Sequence, residues 1–220
     1  MNAKRLRAII EEGETDTVEF KRKFSGFEKI AKEMIALANT RGGMILVGVD
    51  DDGSIVGVES EKSEIDLLSS SAEFYCDPPV DYDIDVVDIE DTDVIVVHIP
   101  ESRQKPHKIV YSPSESTSQH DARETGVYIR QGEKSVMASR EVARVLAASQ
   151  PDAPPLRVEI GSIERTLFDH LEQHERITLR EFRRLVNISE RRASRSLVRL
   201  VRAGLIRIFT NQGEDYYTLA

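Results

Sequence analysis

The sequence has one cysteine, no tryptophan and no long apolar run. A single cysteine, Cys76, excludes an intramolecular disulfide and fits a reducing compartment, so we expect a cytoplasmic protein. No stretch approaches the roughly 18 apolar residues of a membrane-spanning helix, and the N-terminal residues lack the apolar core of a signal peptide. We therefore expect no membrane partner. The composition, 40% hydrophobic and 31% charged, is that of an ordinary globular protein with enough apolar material for a core.

Charge is distributed unevenly along the chain. Residues 156–220 contain 12 arginines, no lysine and 9 acidic residues, which gives a net charge of +3. Residues 1–155 keep 18 basic and 30 acidic residues, which gives −12. This asymmetry predicts different roles for the two parts, because the acidic part repels a polyanion unless its basic residues share one face or a divalent cation intervenes.

The chain is predicted to divide at residues 151–155, where three prolines in five residues favour a short, stiff linker. A second irregular stretch, Ser112 to Thr125, is rich in Ser, Thr and charge and is predicted to be a long loop. We therefore expect a domain over residues 1–150, the linker, and a domain over residues 156–220.

The first domain is predicted to be α+β with a mixed sheet. The helical spacing of Phe27, Ile30, Met34 and Ile35 indicates one buried face, and the run Met44–Val49 is typical of a buried strand. Other predicted elements are a short helix over 5–12, strands over 17–23, 54–58, 82–89, 94–99 and 126–131, a helix over 59–75, and a closing helix over 139–149 that Ser139 caps.

The second domain is predicted to be a winged helix-turn-helix. One helix begins after Ser162, Thr178 caps a second helix, and Ser189 caps a third that ends at Gly204. Strands over 205–209 and 215–219, with a turn at 211–214, are expected to form the wing.

The third helix carries a row of arginines. Helical periodicity places Ala193, Leu197, Leu200 and Val201 on a core-facing side. The opposite side carries Arg191, Arg192, Arg195, Arg199 and Arg202. Arginine binds phosphates and the O6 and N7 atoms of guanine, so this row predicts contact with nucleic acid. The alternatives are an ordinary solvated face, or a winged helix used for protein–protein contact.

Three groups of residues in the first domain resemble the Schlafen-type AlbA-like DNA-binding domain. They are Glu14–Lys21, Ile35–Gly43 running into Leu46–Gly53, and Val127–Gly132. Prokaryotic members often carry a C-terminal helix-turn-helix and are described as transcriptional regulators. The resemblance thus implies a DNA-binding regulator, expected to be a homo-oligomer. Some relatives were once labelled ATPases, but this chain has no GxxxxGK[ST] loop, so ATP is not expected as a cofactor.

The ribonuclease branch of the same family implies an alternative function. Its metal-dependent nuclease site corresponds here to Glu14, Glu19 and Asp51 or its neighbour Asp50, with Lys21 close by. Such carboxylates bind Mn²⁺ or Mg²⁺, which would activate water for cleavage of a structured RNA such as tRNA. The competing interpretation is a solvated helix end at Glu14 and an ordinary acidic turn after Val49.

Basic residues of the first domain form a further candidate surface. Lys105, Lys108 and Arg130, with His107 and Lys134, are predicted either to contact nucleic acid or to be ordinary surface charge.

Overall fold

The structure is a computed structural model. It describes residues 1–89, 91–110, 126–150, 156–211 and 214–220. The predicted linker at 151–155 and the predicted loop at 112–125 therefore lie outside the described residues. The chain divides into two compact units, Met1–Ala138 and Ser139–Ala220.

The first unit is α+β, as predicted, and its main sheet is mixed. Its helices are α1 (Ala3–Glu12), α2 (Phe27–Asn39) and α3 (Glu61–Phe74). Its strands are β1 (Val18–Lys21), β2 (Gly42–Val47), β3 (Cys76–Asp77), β4 (Asp83–Asp88), β5 (Asp93–Pro100), β6 (Lys108–Ile109), β7 (Tyr128–Gln131) and β8 (Lys134–Met137). The main sheet has the order β1-β2-β5-β4, with β1 parallel to β2 and the other pairs antiparallel. Strands β3 and β6 form one small sheet, and β7 and β8 form another.

The main sheet is covered on both faces because its central strands, β2 and β5, carry apolar side chains on both sides. Alternate side chains of a strand point to opposite faces. Ile45 and Val47 pack with α2 in one core, whereas Leu46 packs with Leu6 and Ile10 of α1 in a second core. Full burial of one such side chain stabilises the fold by about 1.5–3 kcal/mol. The two cores fix β1, which contains Glu19, and β2, after which Asp50 and Asp51 follow.

Gly43 allows β1 and β2 to approach closely. The Met44 N–H donates to the Thr17 carbonyl at 2.8 Å, and a Cβ on Gly43 would lie 2.3 Å from that same oxygen. Its φ of 151° is also a conformation that other residues rarely adopt. Gly43, the second residue of β2, is therefore required by strand packing.

One predicted strand is absent from the structure, and three strands were missed. Residues 54–58 do not form a strand, and only an isolated bridge joins Val49 to Ile55. Instead, Val56 and Gly57 donate backbone hydrogen bonds to the Gly48 carbonyl, which turns the chain away from β2. Strands β3, β6 and β8 were not predicted.

The second unit contains four helices and a three-stranded sheet within its described residues. The helices are α4 (Arg140–Ala148), α5 (Ser162–Gln173), α6 (Leu179–Leu185) and α7 (Glu190–Arg202). The strands are β9 (Ile177–Thr178), β10 (Ile206–Asn211) and β11 (Glu214–Leu219), antiparallel in the order β10-β11-β9. The core contains Leu167, Leu171, Ile177, Phe182, Ala193, Leu197, Leu200, Ile206 and Tyr217.

Helix α4 belongs to the second unit, although its sequence pattern was interpreted as closing the first. The predicted cap is present, because the Ser139 hydroxyl accepts the Val142 N–H. The helix packs on α7, where Arg144 donates to the Ser194 hydroxyl at 2.5 Å and Ser194 donates to Glu141 at 2.9 Å. The units therefore divide before α4. Helical periodicity identifies a helix and its packed face, but it does not identify the core against which that face packs.

None of the helices in the described ranges combines the length and apolar character needed to cross a bilayer.

Candidate nucleic-acid interface

Helix α7 is held by its caps and by one apolar face. The Ser189 hydroxyl accepts the Arg192 N–H, as predicted, and Gly204 follows the helix with a φ of 68°. Leu197 and Leu200 are fully buried in the core of the second unit. The helix is thus anchored along one side, and the residues on its other side are fixed in position.

The predicted row of arginines lies away from this core. Arg191, Arg192 and Arg195 are exposed, and Arg199 and Arg202 are partly buried. Glu190 at the start of the helix is paired with Arg183 at 3.0 Å. Five guanidinium groups therefore follow α7 without an unpaired acid between them.

Arg199 differs from the other four because it has an acidic partner. Its Nη2 donates to Glu164 Oε1 at 3.1 Å, and the Ser196 hydroxyl donates to the same oxygen at 2.9 Å. Burial raises the pKa of Glu164, but the hydrogen bonds from Ser196 and Gly161 and the charge of Arg199 outweigh this effect and lower that pKa. Within the described residues, Arg191, Arg192, Arg195 and Arg202 form no salt bridge.

A groove of about 780 Å³ runs beside α7 within the second unit. Its basic lining consists of Arg144, Arg192, Arg195, Arg199 and Arg202. Only Arg191 of the predicted row stands outside the groove lining. The arginines therefore line a concave surface.

The second candidate site, in the first unit, is a cluster of acidic residues near the end of β1. Glu14 accepts the Phe20 N–H at 2.8 Å. Burial raises the pKa of Glu14; the Phe20 hydrogen bond lowers it, Glu19 and Asp51 raise it further, and Lys21 lowers it. The four residues that the resemblance brings forward therefore lie close enough for their charges to influence one another.

Glu19 is buried and fully engaged. One carboxylate oxygen accepts from Lys21 Nζ, and the other accepts from Arg130 Nη1 at 2.5 Å. Arg130 also donates to the carbonyls of Thr15, at 2.7 Å, and Glu133, at 2.9 Å, and its side chain is 0% exposed. Arg130 thereby ties β7 to β1 across a long separation in sequence.

The amide of Asn39 makes a second connection of the same kind. Its Nδ2 donates to the carbonyls of His107 and Tyr128 at 3.0 and 2.9 Å, and its Oδ1 accepts the His107 N–H at 2.8 Å. Next to it, the Thr40 hydroxyl accepts the Arg130 N–H. The three sequence groups that carry the family resemblance are thus joined by buried hydrogen bonds.

The family model described as Schlafen, AlbA_2 matches residues 14–139, more than half of the chain. The chain belongs to this family. The match ends at residue 139, one residue beyond the first compact unit, which ends at Ala138. The Schlafen AlbA_2 region is therefore the first unit, and the match stops before α4.

Two solved structures resemble parts of the chain. The solution NMR structure of the N-terminal domain of a RecG-related protein from Nitrosomonas europaea is 23% identical, with a TM-score of 0.41, and covers 51% of this chain and 82% of that one. The crystal structure of the DIP2311 protein from Corynebacterium diphtheriae is 21% identical, with a TM-score of 0.43, and covers 64% of this chain but 29% of that one. No curated protein matches the chain.

The acidic cluster of the Schlafen AlbA_2 unit does not fit a divalent cation as it is arranged. Both oxygens of Glu19 are held by cations, and Glu14 is engaged by the Phe20 N–H. Across the described residues, no three His, Cys, Asp or Glu side chains are grouped as metal ligands. Binding of Mn²⁺ or Mg²⁺ by Glu14, Glu19 and Asp51 would require the Glu19 salt bridges to break, so we derive no catalytic step through a metal.

The predicted basic surface of the first unit is corrected at Arg130 and at His107, which is buried, and is restricted at Lys105. Arg130 cannot contact nucleic acid in this conformation, because its guanidinium is buried among protein acceptors. Lys105 is largely buried and donates to the Thr40 carbonyl at 2.8 Å and to Glu101 at 2.6 Å. Lys108 and Lys134 are exposed.

Two features of these sites were missed from the sequence. Arg144 joins the arginines of α7, and the pairing of α4 with α7 gave no sequence signal. Glu33 was also missed; it accepts from Ser135 and lies 3.5 Å from Arg130. One sequence signal pointed to the buried connections of the first unit. Asn39 lies on the apolar side of a predicted helix, and a buried amide requires hydrogen-bond partners.

Proposed function

We propose that the second unit is a winged helix-turn-helix that binds nucleic acid, with DNA as the principal ligand, and that the protein is a transcriptional regulator. The order of elements supports this assignment: three helices, α5 to α7, precede the β10–β11 hairpin, and β9 pairs with β11. Only the short turn at 186–189 separates α6 from α7. In such folds the helix in the position of α7 enters the major groove.

The observation that carries the proposal is the row of arginines on α7. Arg192, Arg195 and Arg202 are free of salt bridges within the described residues, while the apolar face of the same helix is buried. An ordinary solvated helix pairs its charges with acids three or four residues away. A helix with cations of one sign on its outer side is suited to a polyanion, because phosphates supply the missing counter-charge.

The Schlafen AlbA_2 unit complements this role. This unit is acidic overall, and its buried charges are paired with one another. These properties suit a scaffold that adds contacts or joins copies of the chain. A homo-oligomer stays a prediction, which light scattering of the purified chain would test. Two-fold symmetry would then require paired half-sites about one helical turn of DNA apart.

A triple variant tests the proposal. Arg192→Ala, Arg195→Ala and Arg199→Ala together should abolish the mobility shift of duplex DNA. The parent should show an affinity that falls with salt, with a slope of about −0.9 per phosphate neutralised. The charge-matched control replaces Arg165, Arg176 and Arg207, three exposed arginines of the same unit outside α7. Equal binding by the two triple variants would show that net charge, and not α7, is responsible.

The same assay separates regulation from RNA cleavage. Duplex DNA, single-stranded DNA and tRNA are incubated with and without Mn²⁺, and both shift and cleavage are scored. We expect a shift without cleavage. Mn²⁺-dependent cleavage that is lost in Asp51→Asn would contradict a purely regulatory role, and this variant is informative because Asp51 is exposed and outside the buried salt bridges.

A further inference from the structure

The groove beside α7 has the size of a small-molecule site. Its volume of about 780 Å³ falls within the roughly 300–1,000 Å³ usual for such sites. The walls come from α7, from the end of α4, and from residues 156–164 around the start of α5. Three separate segments of the second unit thus enclose one space.

One wall of the groove is basic. It contains Arg144 of α4 together with Arg192, Arg195, Arg199 and Arg202 of α7, against the acids Glu159 and Glu164. Glu164 is already neutralised by Arg199, Ser196 and the Gly161 N–H. Arg144 is paired with Glu141 at 3.2 Å. Arg192, Arg195 and Arg202 form no salt bridge within the described residues, so they outnumber the remaining acid, Glu159, and the groove is net positive.

Arg199 supplies a donor that lacks an acceptor. Its Nε is buried and makes no hydrogen bond within the described residues. A buried donor without a partner is destabilising, so a shift of the Arg199 side chain that brings Nε to a ligand oxygen in the groove is favoured.

Most of the remaining lining of the groove is apolar. The apolar residues are Ala148, Leu156, Ile163, Ile188 and Val198, and Gly161, Ser162 and Ser196 complete the lining. A phosphate-only ligand would leave this wall in contact with water, whereas a ligand with an apolar body would bury it. The basic wall and the apolar wall together favour a ligand with an anionic group on an apolar or aromatic body.

We propose that this groove binds an organic anion, an aromatic body bearing a phosphate or a similar acid group, in competition with nucleic acid. Competition follows because Arg192, Arg195 and Arg199 would serve both ligands. This second part rests on the function proposed above, whereas binding of the anion does not. The groove would then make the protein responsive to a metabolite whose release restores binding to nucleic acid.

The test titrates the full chain with 1-naphthyl phosphate and measures the binding affinity by calorimetry. Inorganic phosphate provides the head alone and 1-naphthol provides the body alone. We expect each to bind at least tenfold more weakly than 1-naphthyl phosphate, because each meets only one wall. We also expect 1-naphthyl phosphate to release duplex DNA from the parent protein.

Two variants locate the site. Leu156→Ala removes part of the apolar wall, and Ala148→Trp fills the groove; both leave the charge of the groove and the residues of α7 unchanged. Each should weaken binding of 1-naphthyl phosphate about tenfold and should leave the DNA shift within about twofold. Arg191→Ala, outside the groove lining, is the matched control and should bind 1-naphthyl phosphate like the parent.

The outcomes separate the two proposals. Equal affinity of the parent and both groove variants for 1-naphthyl phosphate, or equal affinity of the parent for inorganic phosphate, would overturn the groove site. Binding that leaves the DNA shift unchanged would overturn competition. If the chain shifts no nucleic acid but binds 1-naphthyl phosphate in a way that Leu156→Ala and Ala148→Trp weaken, the proposed function fails and the anion site stands.

Discussion

The two units use arginine in opposite ways. In the first unit, Arg130 is buried and donates to Glu19 and to backbone carbonyls. In the second, Arg192 and Arg195 stand exposed on α7 without a salt bridge among the described residues. The same side chain therefore fastens strands in one unit and leaves charge available for a ligand in the other. Burial and pairing, more than residue type, decide which role an arginine has.

Because Arg130 is the buried arginine of this contrast, its substitution should have the largest effect on stability. Arg130→Ala should lower the free energy of unfolding by about 3–5 kcal/mol, because it leaves Glu19 buried with one counter-charge and removes the link between β1 and β7. Urea unfolding of the full chain, followed by circular dichroism, measures the loss. Hydrogen exchange should locate it in the first unit.

Arg22→Ala is the matched control in the same unit. Arg22 also pairs with a carboxylate, Asp50, at 2.8 Å, but it is 64% exposed. Exposed pairs contribute about 0–1 kcal/mol because water screens them. Equal losses for Arg22→Ala and Arg130→Ala would show that burial does not distinguish the two salt bridges.

Asn39 should give the next largest effect. Asn39→Leu keeps the volume of the side chain but leaves the His107 N–H and the carbonyls of His107 and Tyr128 without their partner. Loss of a buried partner costs about 1–3 kcal/mol. The same unfolding experiment measures it, and Asn39→Asp, which buries a carboxylate facing the two carbonyls, should recover none of the loss at pH 7. A loss below about 0.5 kcal/mol in Asn39→Leu would contradict this account.

Substitution of an exposed arginine on α7 should weaken DNA binding and leave the free energy of unfolding almost unchanged. Arg192→Ala should leave the free energy of unfolding within about 0.5 kcal/mol, as is usual for exposed positions. It should reduce the salt slope of DNA binding by about one, since one phosphate contact is lost. Titrations at several salt concentrations check this. An unchanged slope together with a lower unfolding free energy would show that Arg192 stabilises the fold, as Arg130 does, and does not contact a phosphate.

The sequence predicted the local features of the second unit better than the long-range contacts of the first, for a physical reason. Caps at Ser189 and Thr178 and the buried face with Leu197 depend on residues within a few positions, and the structure confirms them. The burial of Arg130 depends on Glu19, which lies 111 residues away in the chain. No periodicity records such a contact, so Arg130 was placed wrongly on the surface. The unit to which α4 belongs was misjudged for the same reason.

The smallest effect should be a dependence on pH that is confined to the first unit. His107 is buried, with Nδ1 2.7 Å from the Pro78 carbonyl and Nε2 2.6 Å from the Ser102 hydroxyl. This arrangement suits a neutral ring in which Nδ1–H donates and Nε2 accepts.

Burial lowers the pKa of His107 below its ordinary value of 6.5; the Pro78 hydrogen bond and the charges of Asp81 and Asp77 oppose this effect, and Lys105 adds to it. Because the folded pKa is the lower one, its stabilising contribution is present above pH 6.5 and is lost as the pH falls through the folded pKa. Unfolding free energies of the parent and His107→Gln should therefore converge as the pH falls from 7 toward the folded pKa of the parent. The exposed His174, replaced in the same way, should leave the parent's profile unchanged. A constant difference between the parent and His107→Gln across that range would show that His107 acts through packing alone.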